Sequence, residues 1–146
     1  MKLNQAARCA LFAVLELARN PGRQLSAADI AGAYGLSSHH LAKVLRELVR
    51  VGLVESVRGA GGGYRFAGNA RRATLHDIII LFDNMGIHAA ARPQAADATE
   101  VGLGLTAVLA EINRITEATL RSITVDTLLK TAHRASRSAK ASGAGG

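Results

Sequence analysis

His39, Lys43, Arg46 and Arg50 are spaced four, three and four residues apart, so a helix would gather them into one polar, cationic stripe. Lysine and arginine in such a row donate hydrogen bonds to phosphate oxygens, and near the front of a helix they also reach acceptor atoms on base edges. A little further on stands "RGAGGG", Arg58 to Gly63, a second place where phosphate chemistry could occur, because glycine lets a backbone approach a ligand closely. No Ser/His/Asp or paired-carboxylate arrangement is identifiable. A catalytic site would require groups far apart in the chain to converge, and none is assigned.

The glycine run separates three readings by its neighbours. A phosphate-binding P-loop needs Lys-Ser/Thr after its last glycine, whereas Gly63 is followed by Tyr64 and Arg65. A dinucleotide fingerprint needs a helix after its glycines, and none is indicated there. "LVESV" and "YRF" on either side instead predict two short strands joined by the run, a β-hairpin. Next to a helix-turn-helix such a hairpin is a wing whose tip can lie against DNA, with Arg58 meeting phosphates or entering a minor groove. The plainer alternative is an ordinary surface hairpin.

The stripe and the hairpin need a scaffold, and local signals outline one. Asn4 is a candidate N-cap for a first helix on which Leu11, Val14, Leu15 and Ala18 recur before "NPG" at Asn20 to Gly22. Ser26 caps a short second helix, "AADIAGAY", which Gly35 closes in a left-handed conformation. Ser37 caps the third, whose apolar face is Leu41, Val44, Leu45, Leu48 and Val51 and which ends at Gly52. The connection between the second and third is so short that they form a helix-turn-helix. Thr74 begins a further helix, with Asp77 answering the cap and Leu75, Ile78, Ile79 and Phe82 on one side, ending near Gly86. "IHAAARPQAADAT" then reads as a loop.

From about Glu100 to Ser122 a heptad seam appears: Val101, Leu105, Val108, Ile112, Ile115 and Thr119, broadened by Leu109. A long helix with such a seam must bury it, and a second copy of the chain is the natural partner, packing within one subunit being the alternative. Thr124 caps a short final helix through "VDTLL". The remainder, small, basic and polar, is expected to be disordered, with at most nonspecific DNA contact.

Charge is distributed unevenly. The formal net charge is +7 over 146 residues, and residues 1 to 73 carry eleven Lys/Arg against four Asp/Glu while 74 to 146 carry seven against seven. The excess lies entirely in the half that holds the helix-turn-helix and hairpin, as expected of a polyanion-binding domain. No apolar run reaches the roughly 18 residues a membrane span needs, and the N-terminus lacks a signal-cleavage pattern, so a cytoplasmic protein is expected. Cys9 is the single cysteine. Opposite the Leu11 and Leu15 stripe it would be accessible and could serve as a redox sensor, although a lone thiol is more often a small packing residue. His39 and His40 diverge on their helix, and His76, His88 and His133 are scattered, so no metal site is expected.

Together "MKLNQAARCALFAVLELA", "ADIAGAYGLSSHHLAKVLREL", "GLVESVRGAGGGYRFAG" and "ITVDTLL" resemble the Rrf2 family of bacterial winged helix-turn-helix regulators over most of the chain. The resemblance implies a mainly α fold with a small β-hairpin, and a homodimer joined by long C-terminal helices. It places Ser37, Ser38, His39, His40 and Lys43 at the start of a recognition helix in the major groove, and Arg58 and Gly59 at the wing contact. Many members hold an iron–sulfur cluster through three cysteines in the loop before the long helix. Here that loop, "NMGIHAAARPQAADATEVGLG", has none, and the first-helix positions where some relatives offer a ligand look like Arg8 and Phe12. No cofactor is therefore expected.

These observations lead to three expected parts: a DNA-binding domain over residues 1–73, a linking helix, loop and dimerisation helix over 74–129, and a tail over 130–146. The function expected is a sequence-specific, homodimeric transcriptional regulator acting as a repressor on double-stranded DNA through Ser37, Ser38, His39, His40, Lys43, Arg46, Arg50, Arg58 and Gly59. The alternatives are a regulator governed by a protein or small metabolite near residues 86–99, or a dimeric module that does not read DNA. Such a module would have no reason to keep the cationic stripe.

Overall fold

The computed structural model describes residues 1–83 and 92–144. Helix α1 (Gln5–Arg19) begins where Asn4 Oδ1 accepts the Ala7 N–H at 2.8 Å. In α2 (Ala27–Tyr34) Ser26 and Asp29 form a reciprocal capping box, and Gly35 ends the helix at φ +62°. Ser37 caps α3 (Ser38–Arg50) by accepting from the His40 N–H. Only Gly35, Leu36 and Ser37 separate α2 from α3, which makes the pair a helix-turn-helix.

Helix α1 is central, packed against α3 and α4 and touching β2 and α6. Its inner face is Ala7, Cys9, Ala10, Ala13, Val14, Leu17 and Ala18. Cys9, expected to be accessible, is only 1% exposed. Leu11 and Leu15 are half-buried at the edge of the core, while Val14 and Leu17 fill it and the small residues beside them let neighbouring helices approach α1 closely. Leu17, Ile30, Leu41, Leu45, Leu48, Val54, Ile78 and Val125 complete an apolar centre; each such aliphatic contributes about 1.5–3 kcal/mol when fully buried. Val51, expected on the same apolar face as Leu48, lies largely outside it at 38% exposure.

Strands β1 (Val54–Val57) and β2 (Gly63–Phe66) pair antiparallel in the register Val54↔Phe66 to Val57↔Gly63. Tyr64 also exchanges backbone hydrogen bonds of 2.9 and 2.8 Å with Leu25, which docks the hairpin on the segment between α1 and α2.

Thr74 and Asp77 cap α4 (Leu75–Ile79) reciprocally. The helix stops well before Gly86, which lies outside the described residues. Leu81 and Phe82 close the turn with i→i+3 bonds, and Asn4 draws the chain away: its side chain donates to the Phe82 carbonyl at 2.7 Å and its N–H to Asp83 Oδ2 at 2.8 Å. A 3₁₀ turn, Ala95–Ala98, precedes α5 (Glu100–Ser122), capped by Thr99.

The junction of α5 with α6 (Val125–Gly143) is sewn to the segment before α4 by Leu75 N to Ile123 O at 2.9 Å, Val125 N to Ala73 O at 2.8 Å and Asp126 N to Ala70 O at 2.9 Å. Along α5 only Leu120 is buried. The final helix is much longer than "VDTLL", so the tail expected to be disordered is helical as far as Gly143. Thr124 caps it, Asp126 pairs with Lys130 at 2.8 Å, and neither Gly nor Pro interrupts residues 125–142, leaving Ala, Lys and Arg to favour helix. Among the described residues no helix is long and apolar enough to cross a membrane.

Candidate nucleic-acid interface

Helix α3 divides cleanly into two faces. Leu41, Val44, Leu45 and Leu48 are at most 3% exposed, whereas Ser37, Ser38, His39, His40, Lys43, Arg46 and Arg50 are all exposed. Burial of the first set fixes the rotation of the helix and so turns the second outward. Lys43 and Arg46 have no ion pair among the described residues. Arg50 differs: its guanidinium is held by Glu47, one turn earlier, with Nε to Oε1 at 3.0 Å and to Oε2 at 3.1 Å. This pairing pushes the Arg50 pKa up and the Glu47 pKa down. The stripe read from the sequence thus ends in a pair of opposite charges. The i, i+3 spacing of Glu47 and Arg50 was the available signal.

The hairpin presents Arg58, Gly59, Ala60 and Gly61 as an exposed tip. Gly59 and Gly61 take φ of +108° and +74°, conformations that other L residues rarely adopt. A Cβ on Gly62 would lie 2.5 Å from the Val57 carbonyl oxygen and 2.8 Å from that of Gly59. The glycines therefore build the tight turn of the hairpin itself. Lower down, Glu55 and Arg65 face each other across the strands as an ion pair, leaving Arg58 as the cation nearest the tip.

Val101, Leu105, Val108, Ile112 and Ile115 of α5 are between 52% and 82% exposed, as are Leu103 and Leu109 to similar degree at 61% and 50%. Among the described residues nothing in the subunit covers this apolar face. Cys9 is enclosed in the core and its burial pushes the thiol pKa up, which disfavours the reactive thiolate and with it a redox-sensing role. Arg8 is exposed with its guanidinium carbon 5.9 Å from the centre of the Phe12 ring, and Phe12 stacks on Tyr34 at 4.9 Å. His76 is buried, its Nε2 3.5 Å from Glu117 Oε1. Among the described residues no group of three or more His, Cys, Asp or Glu is arranged to hold a metal ion. His88 lies outside them.

Residues 3–131 match the family model Rrf2, described as an iron-dependent transcriptional regulator. The chain is 54% identical over 130 residues to BadM of Rhodopseudomonas palustris, whose name places it among HTH-type transcriptional regulators; the match spans 89% of this chain and 82% of that one. The fold is similar to that of IscR from T. potens, with a TM-score of 0.74 and 29% identity over 92% of this chain and 90% of that one. It is likewise similar to CymR, the global cysteine regulator of B. subtilis, with a TM-score of 0.75 and 26% identity over 90% and 98% of the two chains.

The residues present do not fit an iron–sulfur cluster held by thiolates. Such a cluster takes several cysteines, and the sole thiol of the chain is locked in the core of α1. Arg8 and Phe12, on the outer side of α1, offer no ligand. What the chain shares with these relatives is the winged helix-turn-helix frame and the long helix behind it, in a family of regulators rather than enzymes. With the family match running over nearly its whole length, the chain belongs to the Rrf2 family of transcriptional regulators.

Proposed function

We propose that the protein is a sequence-specific DNA-binding repressor that acts as a homodimer and carries no iron–sulfur cluster. The observation that carries this reading is the two-sidedness of α3: a sealed apolar face turns His39, Lys43 and Arg46 into solvent without acidic partners among the described residues. Cations held this way on a rigid helix suit the major groove, where Lys and Arg donate to guanine O6 and N7. Ser37, Ser38 and His40 at the front of α3 supply shorter contacts, and Arg58 with Gly59 supplies a wing contact to phosphate or minor groove.

Dimerisation is inferred from α5. A helix of 23 residues, about 34 Å long, leaves seven large apolar side chains at least half exposed, and a second copy can bury the same face from the other side. Residues 1–73 then form the DNA-binding part and 74–129 the dimerising part. Repression follows from occupancy alone, since a dimer seated on a promoter excludes polymerase without needing an activating surface. A regulator with these properties works in the cytoplasm.

Selection of bound duplexes from a random pool tests the proposal. A defined inverted repeat should emerge, and Lys43→Ala should degrade it. Recovery of unrelated sequences would favour the module that does not read DNA.

A further inference from the structure

We propose that the cationic face of α6 is a second DNA-binding surface, one that grips backbone phosphates beside the segment contacted by α3 and the wing. The inference rests on the DNA-binding function proposed above and adds an element to it. Beyond Asp126 every charged residue of the chain is a cation: Lys130, Arg134, Arg137 and Lys140, with His133 among them. At about 100° per residue these five fall within an arc of about 120°, and the opposite side carries only small residues such as Ala132, Ala135, Ala139 and Ser142. All residues from 130 to 144 are exposed.

Counter-charge is scarce on this face. Lys130 pairs with Asp126 at 2.8 Å, and Arg134, Arg137 and Lys140 have no acidic partner among the described residues. These cations repeat at i, i+3 and i, i+4, where like charges repel one another along a helix. A line of phosphates would convert that repulsion into attraction. The stripe from Lys130 to Lys140 extends about 15 Å, which suits a linear polyanion better than a single small anion.

Placement connects this face to the wing. Val125 is fully buried and Leu129 packs against the core, so α6 leaves the domain in a fixed direction. Its Leu129, Lys130, His133 and Arg134 flank a groove whose other wall is Ala18, Arg19 and Pro21 at the end of α1. From there the chain passes Arg23 to Leu25, which is bonded to Tyr64 of the wing. Arg19, which pairs with Glu16 at 3.6 Å, and Arg23, which faces Asp29, thus lie between the hairpin and α6, so among the described residues the unpaired cations of this side are those of α6. The family match ends at residue 131, so Arg134, Arg137 and Lys140 lie beyond it.

The test is a graded series in the full-length protein: Lys140→Gln, then Arg137→Gln added, then Arg134→Gln. Glutamine keeps helix propensity while removing charge. The probe is a mixed-sequence 40-base-pair duplex, with affinity measured across a range of salt. Each step should reduce the slope of log affinity against log salt by about 0.9 for every phosphate that is no longer neutralised, while Lys43→Ala still changes sequence preference in the triple variant. An unchanged slope in the triple variant overturns the proposal, whether α6 is merely solubilising or faces an acidic protein. Loss of all binding in one step, with altered circular dichroism, would mean that α6 supports the fold and would also overturn it. If the unmodified protein shows no salt-dependent binding to duplex DNA, the functional reading itself fails, an outcome distinct from an unchanged slope.

Discussion

Arg50, the last cation of the α3 stripe, is bound by Glu47 one turn before it, while Lys43 and Arg46 on the same face carry no acidic partner among the described residues. The stripe is therefore graded. Lys43 lies toward the N-terminal part of α3, where recognition helices contact base edges. Lys43→Ala should cost about 1–3 kcal/mol of specific binding and alter the preferred base at one position per half-site. Arg50→Ala should cost less, because contact with DNA requires it to give up a surface pair worth about 0–1 kcal/mol. Glu47→Gln should release Arg50 and strengthen binding to all sequences alike. Titration of each variant against a selected site and a scrambled duplex checks the order; equal losses for Lys43 and Arg50 would contradict it.

The wing should behave differently from the helix. Arg58→Ala is expected to weaken binding to most sequences together and to flatten the salt dependence by about one unit per protomer, two per dimer. Gly62→Ala should act through geometry, since its Cβ would press on the Val57 and Gly59 carbonyl oxygens; a loss of about 1–3 kcal/mol of stability is expected. Salt titrations and thermal melts separate the two. A shift of base preference in Arg58→Ala would show that the wing reads sequence.

Signals confined to a few residues were the ones legible in the chain. Asn4, Ser26, Ser37, Thr74 and Thr124 all accept the N–H expected of an N-cap, because a cap involves only residues three apart. Glycine at position 35 and the strand–turn–strand around Gly59 to Gly62 were readable for the same reason. The misreadings came from long-range packing. Cys9 is inside because of where the other helices pack around α1, and the apolar stripe of Leu11 and Leu15 concealed that. Helix α4 gives way after Ile79 to a turn that is tied to Asn4, 78 and 79 residues away in sequence. For the interface, the outward stripe of α3 was visible in its period, but its charge balance depended on Glu47, which the pattern of cations alone leaves out.

Iron provides an independent check on the donor set. Incubated anaerobically with iron and sulfide, the protein should develop no cluster absorbance, because it offers one buried thiol where several thiolates are needed. DNA binding should also be indifferent to chelators. A stoichiometric visible chromophore would show that other residues, His88 among them, can hold iron.

Tyr34 supplies a prediction in pH. Its phenol is desolvated and donates a hydrogen bond to the Glu16 carboxylate, and burial first, then that bond and the negative charge of Glu16, push its pKa up to about 12. A folded-state value above the unfolded one means that the contribution to stability is complete below about pH 10 and is lost as pH rises toward 12. Tyr34→Phe should therefore be destabilising at neutral pH, by about 0.5–3 kcal/mol, and the difference from the unmodified protein should shrink in strong alkali. Absorbance titration of the tyrosinate should show a late step that Tyr34→Phe removes. Should no late step appear in that titration, the bond from Tyr34 to Glu16 is not maintained in solution.

The α5 face carries the most consequential prediction. Val108 and Ile112 sit mid-helix at 58% and 52% exposure, in the centre of the seam that a second copy would cover. Charged residues there would be desolvated without partners in a dimer yet remain in water in a monomer, so Val108→Glu with Ile112→Glu should shift assembly while sparing the winged domain, whose core they do not touch. Sedimentation at micromolar concentration should show a dimer for the unmodified protein and a monomer for the double variant, both with the same α-helical signature per residue. DNA selection then gives the functional counterpart. A twofold dimer reads two half-sites related by symmetry, so the unmodified protein should select inverted repeats, whereas the double variant should bind a single half-site weakly. If the unmodified protein sediments as a monomer, the seam has another occupant and the homodimer is lost. If the double variant stays dimeric, the copies join elsewhere.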